Sequence, residues 1–435
     1  MKIKKYFIFV FLFFIISTFT FSQSYIINSV NYEITGKTKT EYLENNLNIE
    51  INKKFETEID FQNYIDEIKQ KLDNLRVIES YEILTEIIFE EKYFVNLVIK
   101  TVDTKNFIAL PYPKYDTNEG FVAKLKLRDS NLFGTISVLD AELLYAYTEK
   151  QDHKVGTLFE FNLPFYFNKL GMNLFSEFES SYFIKEEKFL FDTETGFEFY
   201  FPIIKPIMKL GLNQIADFNT KNTSLDEWFL SECFFVKLPF YFYDYTFSVI
   251  TNFQIDIIPN INYSNQIGFN LYKNSVNWID NFRQGFFIDS SIFLNLFYNE
   301  FEYNFTFENN FIYYKSFEKL ALATRLNIFL NPIDNEVGSF IRGITDSELV
   351  SDLGFIANLD LPISILKINK NKFYDFELQI SPFVDFGYTY QNEFHISGGL
   401  EFLVYPRITR SLQLRASGGI SKNDLEVFIG IGLFY

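Results

Sequence analysis

Strict alternation of apolar and polar side chains near the end of the chain is the feature that most limits its fold. Between residues 374 and 388 one parity is apolar, comprising Tyr374, Phe376, Leu378, Ile380, Val384, Phe386 and Tyr388. The other parity is polar or small, comprising Asp375, Glu377, Gln379, Ser381, Asp385 and Gly387. Successive side chains of a β-strand point to opposite faces, so this period of two predicts a strand with one apolar and one polar face.

Similar segments, divided by Asn, Asp, Gly and Lys turns, continue from Phe121 to the end of the chain. The sequence is 48% hydrophobic and 20% aromatic, with 56 Phe and 28 Tyr. After its first residues it has no run of ~18 apolar residues that could form a spanning helix. Aromatic-rich apolar strand faces are typical of a transmembrane β-barrel. A soluble β-sandwich, or a compositional bias toward Phe, Ile, Tyr, Asn and Lys, is the alternative.

The expected fold class is therefore an all-β transmembrane barrel preceded by a small α+β domain. Roughly 325 residues, at ~20 residues per strand and turn, predict about 16 antiparallel strands, with 14 or 18 as the neighbouring even numbers. Every backbone polar group must be paired within lipid, so the first and last strands are expected to close on one another.

The N-terminus has the layout of a secretory signal peptide. Lys2, Lys4 and Lys5 precede an uncharged run from Tyr6 to Phe21, and small polar residues stand where a signal peptidase cuts. The run is shorter than the ~20 apolar residues of a membrane anchor. We predict a signal peptide over residues 1–22, and therefore export.

Several functions are disfavoured by composition. The net charge of −17 argues against nucleic acid as a partner, because phosphate binding needs basic clusters. Cys233 is the only cysteine, so no intramolecular disulfide can form. His153 and His395 lack carboxylates at a spacing that suits a metal site. With no nucleophile or phosphate-binding pattern either, the sequence predicts neither an enzyme nor a cofactor.

A small α+β domain is predicted over residues 24–104. Its amphipathic helix buries one stripe at helical spacing, formed by Phe61, Tyr64, Ile65, Ile68 and Leu72. A shorter helix with Tyr42 and Leu47 precedes it and strands flank the pair, so the order is β-α-α-β-β. That order resembles a POTRA domain, a periplasmic module that receives unfolded chains partly by edge-strand pairing. An unrelated α+β domain is the alternative.

Residues 105–120 are expected to be a linker, because Pro111 and Pro113 argue against a central strand. The barrel is accordingly predicted over residues 121–435, with a first strand from about Phe121 to Leu127. The closing strand is predicted from Leu425 to Tyr435, where apolar residues alternate to the terminal aromatic. The residues expected at the seam and in a C-terminal insertion signal are Phe428, Gly430, Leu433 and Tyr435.

Two short motifs stand in a defined order near the end of the chain. Ile341, Arg342, Gly343 and Ile344 lie in a long loop that five predicted strands follow, and Phe383, Asp385 and Gly387 lie on the second of those strands. The parity of that strand turns Asp385 toward the barrel interior. An arginine inside a barrel needs a carboxylate as a bidentate acceptor. An ordinary loop turn and a solvated interior acid are the plainer interpretations.

This pair of motifs resembles the BamA/TamA superfamily of outer-membrane assembly and two-partner-secretion proteins. There a Val/Ile-Arg-Gly-Phe/Tyr loop folds into the barrel and meets a Phe/Gly-x-Asp-x-Gly strand. Ile344 departs from the family pattern, which has an aromatic residue at that position. A weaker similarity lies at residues 128–134, which resemble the Asp-x-Asn-Leu-x-Gly turn after the family's first barrel strand.

The resemblance implies an assembly factor that helps β-barrel proteins fold into the bacterial outer membrane, with the N-terminal domain in the periplasm. Its implied partners are unfolded outer-membrane β-barrel clients, periplasmic chaperones or accessory lipoproteins, and outer-membrane lipids. In the family's mechanism the seam opens and a client strand pairs with the exposed edge, which Gly430 and Gly432 would weaken. The alternatives are a two-partner-type secretion pore for one exported protein and a passive porin.

Overall fold

The structure, a computed structural model, describes residues 24–89, 92–116, 120–147, 152–167, 170–201, 208–219, 227–336, 340–344, 350–369, 375–390, 393–407, 410, 412–422 and 424–432. The predicted signal peptide, Leu433 and Tyr435 lie outside these residues. The chain divides into two compact units after Asp103.

The first unit is a four-stranded sheet with two helices. Its elements are β1 (Tyr25–Thr35), α1 (Thr40–Leu47), β2 (Lys54–Phe55), α2 (Glu58–Asn74), β3 (Ile78–Phe89) and β4 (Tyr93–Asp103). The sheet order is β2-β1-β4-β3, with β1 and β4 parallel and the other pairs antiparallel. The short strand β2 lies between the two helices in the sequence. The predicted order β-α-α-β-β did not include this strand.

Helix α2 buries the stripe that its sequence predicts. Phe61, Ile68 and Leu72 are at most 1% exposed, and Thr57 caps the helix by accepting a hydrogen bond from the backbone N–H of Asp60 at 3.1 Å. The apolar core of the unit therefore lies between α2 and the sheet. No helix among the described residues is long and apolar enough to span a membrane.

The second unit is β-sheet apart from a short 3-10 helix, Leu132–Gly134. Its strands are β5 (Phe107–Asp116), β6 (Gly120–Asp129), β7 (Leu139–Tyr147), β8 (His153–Phe167), β9 (Leu170–Phe183), β10 (Lys188–Phe201), β11 (Met208–Asn219), β12 (Glu227–Phe242), β13 (Tyr245–Ile258), β14 (Asn262–Asn274), β15 (Asn277–Ile279), β16 (Phe282–Phe297), β17 (Glu302–Ser316), β18 (Ala321–Glu336), β19 (Val350–Asp360), β20 (Ile363–Asn369), β21 (Asp375–Thr389), β22 (Glu393–Pro406), β23 (Leu414–Ser421) and β24 (Leu425–Ile431). Neighbours pair antiparallel and β24 returns to β5, so the barrel is closed.

The barrel has 18 strands, so the expected number of about 16 is wrong. The segments β14 and β15 form one interrupted strand, since both pair with β16, and β19 and β20 form another, since both pair with β21. Among the described residues this leaves 18 antiparallel strands from β5 to β24. The count was low because a strand with its turn averages about 18 residues here and because the predicted linker supplies a strand.

Alternation along the strands separates the interior from the outer face. In β21 every second residue from Glu377 to Thr389 is buried, and the residues between them are more exposed. Asp385 is 0% exposed and Tyr388 is 42% exposed. The parity predicted for this strand therefore matches the structure, and its polar side chains are the ones that face the barrel interior.

Residues 105–120 are not a linker, because most of them form β5, the first strand of the barrel. Strand β5 pairs with β6 without interruption, from Phe107 opposite Asp129 to Asp116 opposite Gly120. The predicted barrel start at Phe121 is therefore wrong. The turn at residues 128–134 follows the second strand rather than the first. The sequence suggested a linker because prolines are rare inside strands. Strand β5 tolerates them because of its neighbour on the side opposite β6, the closing strand β24.

The closing strand ends earlier than its alternation suggests. Strand β24 runs from Leu425 to Ile431, and its partner across the seam is β5 rather than the predicted strand at Phe121. Gly432 leaves the strand with a φ of +102° and donates its N–H to the carbonyl oxygen of Gln413 at 2.8 Å. The last predicted residues of the strand lie outside the described part of the chain.

Candidate functional site

The segment after β18 lies in the barrel interior at its described residues. The structure describes its residues 340–344, of which Ile341 is 0% and Arg342 is 2% exposed. Asn358 of β19 donates its side-chain N–H to the carbonyl oxygen of Phe340 at 2.9 Å. We call residues 340–344 the arginine loop. It is held against the inner wall rather than extended into solvent.

The guanidinium of Arg342 lies between two buried carboxylates. Its Nε and Nη2 donate to Asp385 Oδ2 and Oδ1 at 2.9 and 2.8 Å. Its Nη1 and Nη2 donate to Asp360 Oδ1 and Oδ2 at 2.7 and 3.0 Å. The backbone N–H of Arg342 also donates to Asp385 Oδ2, at 3.0 Å. Both carboxylates are thus engaged in bidentate fashion, a geometry that the planar guanidinium fits and an ammonium does not.

The charged network continues past the two aspartates. Glu401 of β22 lies 3.5 Å from Arg342 Nη1 and accepts a hydrogen bond from Arg415 Nε of β23 at 2.7 Å. The ring of Phe383 covers the guanidinium of Arg342, whose carbon Cζ lies 3.6 Å from the ring centre. Removing one member of so buried a cluster leaves the other charges without compensation, which costs ~3–5 kcal/mol for a buried pair.

Two glycines bring the arginine loop into contact with the last strands. A Cβ on Gly419 of β23 would lie 2.8 Å from the nitrogen of Gly343 and 2.9 Å from the carbonyl carbon of Arg342. Gly343 has a φ of +94°, which other residues rarely adopt. Its N–H donates to Glu426 Oε2 of β24 at 2.6 Å. The loop therefore contacts residues on all five strands that follow it.

Apolar packing seats the rest of the loop. Ile341 and Ile344 form a cluster with Ile356 of β19, and Phe329 of β18 packs against it. A Cβ on Gly387 would lie 2.2 Å from Ile341 Cδ1, so the glycine leaves room for that side chain. Ile344, which stands where the family has an aromatic residue, is 4% exposed. An aliphatic side chain thus fills the position in this protein.

The structure brings the two predicted motifs together, since Arg342 and Asp385 are bonded directly and Phe383 and Gly387 both contact the loop. Sequence reasoning missed Asp360, Glu401, Arg415, Gly419 and Glu426. One signal for Asp360 was available, since it is an acid with inward parity on the strand after the loop. The others carry no local signal.

The predicted seam residues lie beside this network. Phe428 faces inward, where Arg415 lies 4.6 Å and Lys114 of β5 lies 5.8 Å from its ring centre. A Cβ on Gly430 would lie 2.6 Å from the Phe428 ring, so this glycine gives the ring space. In the described residues β24 pairs with β5 at two positions, Phe428 opposite Asp116 and Ile429 opposite Tyr115.

A bent hairpin covers the network from the end of the barrel at which β5 begins. Strand β16 stops pairing with β17 at Gly285, whose Cβ would lie 2.1 Å from the Ser275 carbonyl oxygen. Beyond this bend Asn281 donates its side-chain N–H to Glu377 Oε2 of β21 at 2.9 Å. A cavity of about 60 Å³ is lined by Asn281 and Arg283 of the hairpin and by Asp360 and Glu401 of the wall.

Fold and site together define a closed outer-membrane-type β-barrel with an arginine loop held against its inner wall. No family model matches the sequence, and no curated protein matches it. Solved structures are similar to this protein in fold. CdiB from Acinetobacter baumannii has a TM-score of 0.50 and 13% identity, over 94% of this chain and 74% of that one. The predicted resemblance to the superfamily is therefore confirmed at the level of the fold.

Two further solved structures are similar over nearly the whole chain. BamA from Haemophilus ducreyi lacking POTRA domains 1–3 has a TM-score of 0.41 and 14% identity, over 94% of this chain and 84% of that one. CdiB from Escherichia coli has a TM-score of 0.41 and 7% identity, over 95% of this chain and 91% of that one.

Proposed function

We propose that this protein is an outer-membrane assembly factor that helps other β-barrel proteins fold and insert into the bacterial outer membrane. The observation that carries the proposal is the seam. In the described residues β24 pairs with β5 at two positions, whereas β5 pairs with β6 at ten. A strand edge with unpaired backbone groups accepts another strand. The client is accordingly an unfolded outer-membrane β-barrel protein.

The arginine loop supports the same function because it secures the wall that must stay intact when the seam parts. Arg342 and Gly343 bond to acids on β19, β21 and β24, and Arg342 lies within ion-pair distance of Glu401 on β22. Glu401 also accepts a hydrogen bond from Arg415 of β23, so the last five strands are tied to one another independently of the seam. Among the described residues, opening then breaks the two seam pairs and leaves the other ladders of the barrel in place.

The N-terminal unit is proposed to be a POTRA-like receiving platform in the periplasm. Strand β3 lies at one edge of its sheet. Near the end of β3 Leu84, Ile87, Ile88 and Phe89 are 41% to 65% exposed. An edge strand with apolar side chains accepts an extended chain by main-chain pairing. Periplasmic chaperones or accessory lipoproteins would deliver that chain.

A reversible lock across the seam tests the proposal. Tyr115 and Ile429 are opposite one another, face outward and are 41% and 47% exposed, so Tyr115→Cys and Ile429→Cys can form a disulfide outside the charged network. Cys233→Ser removes the native thiol. The matched control is Leu143→Cys with Thr157→Cys, an outward pair in the complete β7–β8 ladder.

In liposomes, oxidation of the seam pair is expected to slow the folding of an added β-barrel client by tenfold or more. A reductant should restore the rate, and the control pair should behave like the parent protein. Full activity with a locked seam would contradict the proposal. Loss of one exported protein on deletion, with other barrels unchanged, would favour the two-partner-type secretion pore. Conductance without any effect on other proteins would favour the porin.

A further inference from the structure

A row of polar side chains crosses four neighbouring strands far from the seam. Its members are directly opposite one another in consecutive ladders and comprise Ser176 of β9, Thr195 of β10, Gln214 of β11 and Glu232 of β12. The hydroxyls of Ser176 and Thr195 are 2.8 Å apart. Gln214 Nε2 donates to Glu232 Oε1 at 2.5 Å. We call these four residues the polar row.

The polar row lies on the outer face of the barrel. Ser231 and Cys233, which flank Glu232 in β12, are 0% and 9% exposed and face the interior. Glu232 has the opposite parity, which it shares with Trp228 and Phe234, and these two are 48% and 47% exposed. The carboxyl group of Glu232 is therefore placed on the side of the strand that faces lipid.

Glu232 lies inside the apolar band of the outer face rather than at its edge. Two outward aromatic residues of β12, Trp228 and Phe240, are 12 residues apart in the strand. That separation is ~40 Å along a strand and ~30 Å across a membrane at a tilt of ~40°. Glu232 is four residues from Trp228, so it lies ~10 Å deeper. Leu230 precedes it on the same face and Ile255 of β13 is opposite it, and both are apolar.

Glu232 differs from the rest of the outer face because its side chain is ionisable. Among the described side chains of outward parity, leaving aside the two residues at each strand end, it is the only Asp, Glu, Lys, Arg or His. Other polar residues at such positions, including Asn265 and Asn309, are neutral. A carboxyl group that faces lipid costs free energy, because the hydrocarbon offers it no hydrogen-bond donor. Ionisable residues at membrane depth normally face protein, so the row is expected to be covered.

We propose that the polar row is the contact between two copies of this protein, related by a two-fold axis along the membrane normal between β11 and β12. The row contains its own complement, since Gln214 supplies N–H donors and Glu232 supplies carboxyl acceptors. An axis between the two strands reverses their order, so each Gln214 faces the partner's Glu232. The two residues are directly opposite in the ladder, so their depths differ by less than the ~4.8 Å between neighbouring strands.

The hydrogen-bonding groups of the row fit this arrangement. Gln214 Nε2 carries two hydrogens, and one is directed at Glu232 Oε1 of the same chain. The second can be donated to the partner's Glu232, since a carboxyl group accepts several bonds. Contact through a different surface of the second copy would need a cation opposite Glu232, and the described outward positions away from strand ends supply none. Thr195 and Ala216 are small outward neighbours of Gln214 that permit close approach.

Exchange of the amide and the carboxyl group tests the contact, independently of the proposed assembly function. Gln214→Glu alone places four carboxyl groups at the axis and should lower the dimer fraction of the purified protein tenfold or more. Adding Glu232→Gln returns one amide and one carboxyl group to each copy, so the dimer fraction should recover to within twofold of the parent's. Native mass spectrometry over a range of protein concentrations measures these fractions.

The matched control is Asn265→Asp, which changes an amide to an acid at an outward position whose neighbour is Thr251 of the same barrel. It should leave the dimer fraction unchanged. Denaturant unfolding identifies the folded variants. A parent protein that is monomeric at every concentration would overturn the proposal. A folded double variant that stays as monomeric as Gln214→Glu would overturn it as well.

Crosslinking in native membranes locates the contact. Ala216→Cys lies beside the polar row on β11, and Leu143→Cys is the control at an outward position of β7, both in a Cys233→Ser background. With a short bismaleimide, Ala216→Cys is expected to give at least tenfold more adduct between two copies than Leu143→Cys. Equal yields from the two positions would overturn the proposed axis. Adducts of Ala216→Cys with a different protein alone would overturn the second copy as the occupant and assign the row to another membrane partner.

Discussion

The wall formed by the last five strands and the seam beside it are built in opposite ways. The wall carries a buried network in which Arg342 alone makes five hydrogen bonds to two carboxylates. The seam carries two residue pairs in the described chain and two prolines on its β5 side. Both regions include β24, so the buried network lies next to the seam. The interactions that stabilise the barrel are therefore concentrated in one region and are not evenly spread around it.

The largest effect is expected from substitutions in the buried charged network of the wall. Arg342→Ala or Asp385→Ala removes one partner of a buried ion pair and leaves the remaining charges uncompensated, so each should lower the free energy of unfolding by ~3–5 kcal/mol, less if water enters. Denaturant unfolding of the folded barrel in detergent measures this. Arg407→Ala is the control, since the Arg407 side chain is 66% exposed and its ion pair with Asp375 should contribute under ~1 kcal/mol. Equal losses for both arginines would show that the buried network adds no more stability to the wall than a partly exposed ion pair does.

A substitution with a smaller expected effect tests the close fit of the arginine loop against β23 without changing any charge. Gly419→Ala places a Cβ 2.8 Å from the Gly343 nitrogen, whereas a Cβ on the adjacent Gly418 meets nothing within 4 Å. Overpacking against backbone costs ~1–3 kcal/mol, so Gly419→Ala should lift the loop and lower stability by about that amount. Gly418→Ala should change stability by under ~1 kcal/mol. Denaturant unfolding and proteolysis of the loop measure both variants, and identical behaviour would show that the loop is not seated on β23.

Much of the wall could be predicted from the sequence, and the seam could not. The alternation around Asp385 fixed its inward direction, and the order of the two motifs brought Arg342 to it. Glu401 and Glu426 were missed because each is an isolated acid on a separate strand, and Asp360 was missed because its inward parity alone does not connect it to Arg342. Their convergence depends on the closure of the barrel, which leaves no local pattern.

The seam was misplaced for a physical reason. Pro111 and Pro113 correctly indicate a segment that cannot be paired on both sides, and a linker is the usual form of such a segment. A strand at a weak seam is the other form. Only the pairing of β5 with both β6 and β24 distinguishes the two forms. The β24 side of that pairing depends on contacts more than 300 residues apart in the sequence.

The smallest expected effect lies at the junction of the two regions, where Glu426 of β24 accepts the Gly343 N–H at 2.6 Å. Glu426→Gln keeps the shape of the side chain and weakens one charge-assisted hydrogen bond, which contributes ~1.5–3 kcal/mol when fully lost. Global stability should fall by about 1 kcal/mol or less. The rate at which the Tyr115→Cys and Ile429→Cys pair oxidises should change more than stability does, because Glu426 ties the arginine loop to the strand that closes the seam. A change in unfolding free energy with no change in that rate would mean that wall and seam are independent, and that the loop stabilises the barrel without governing its opening.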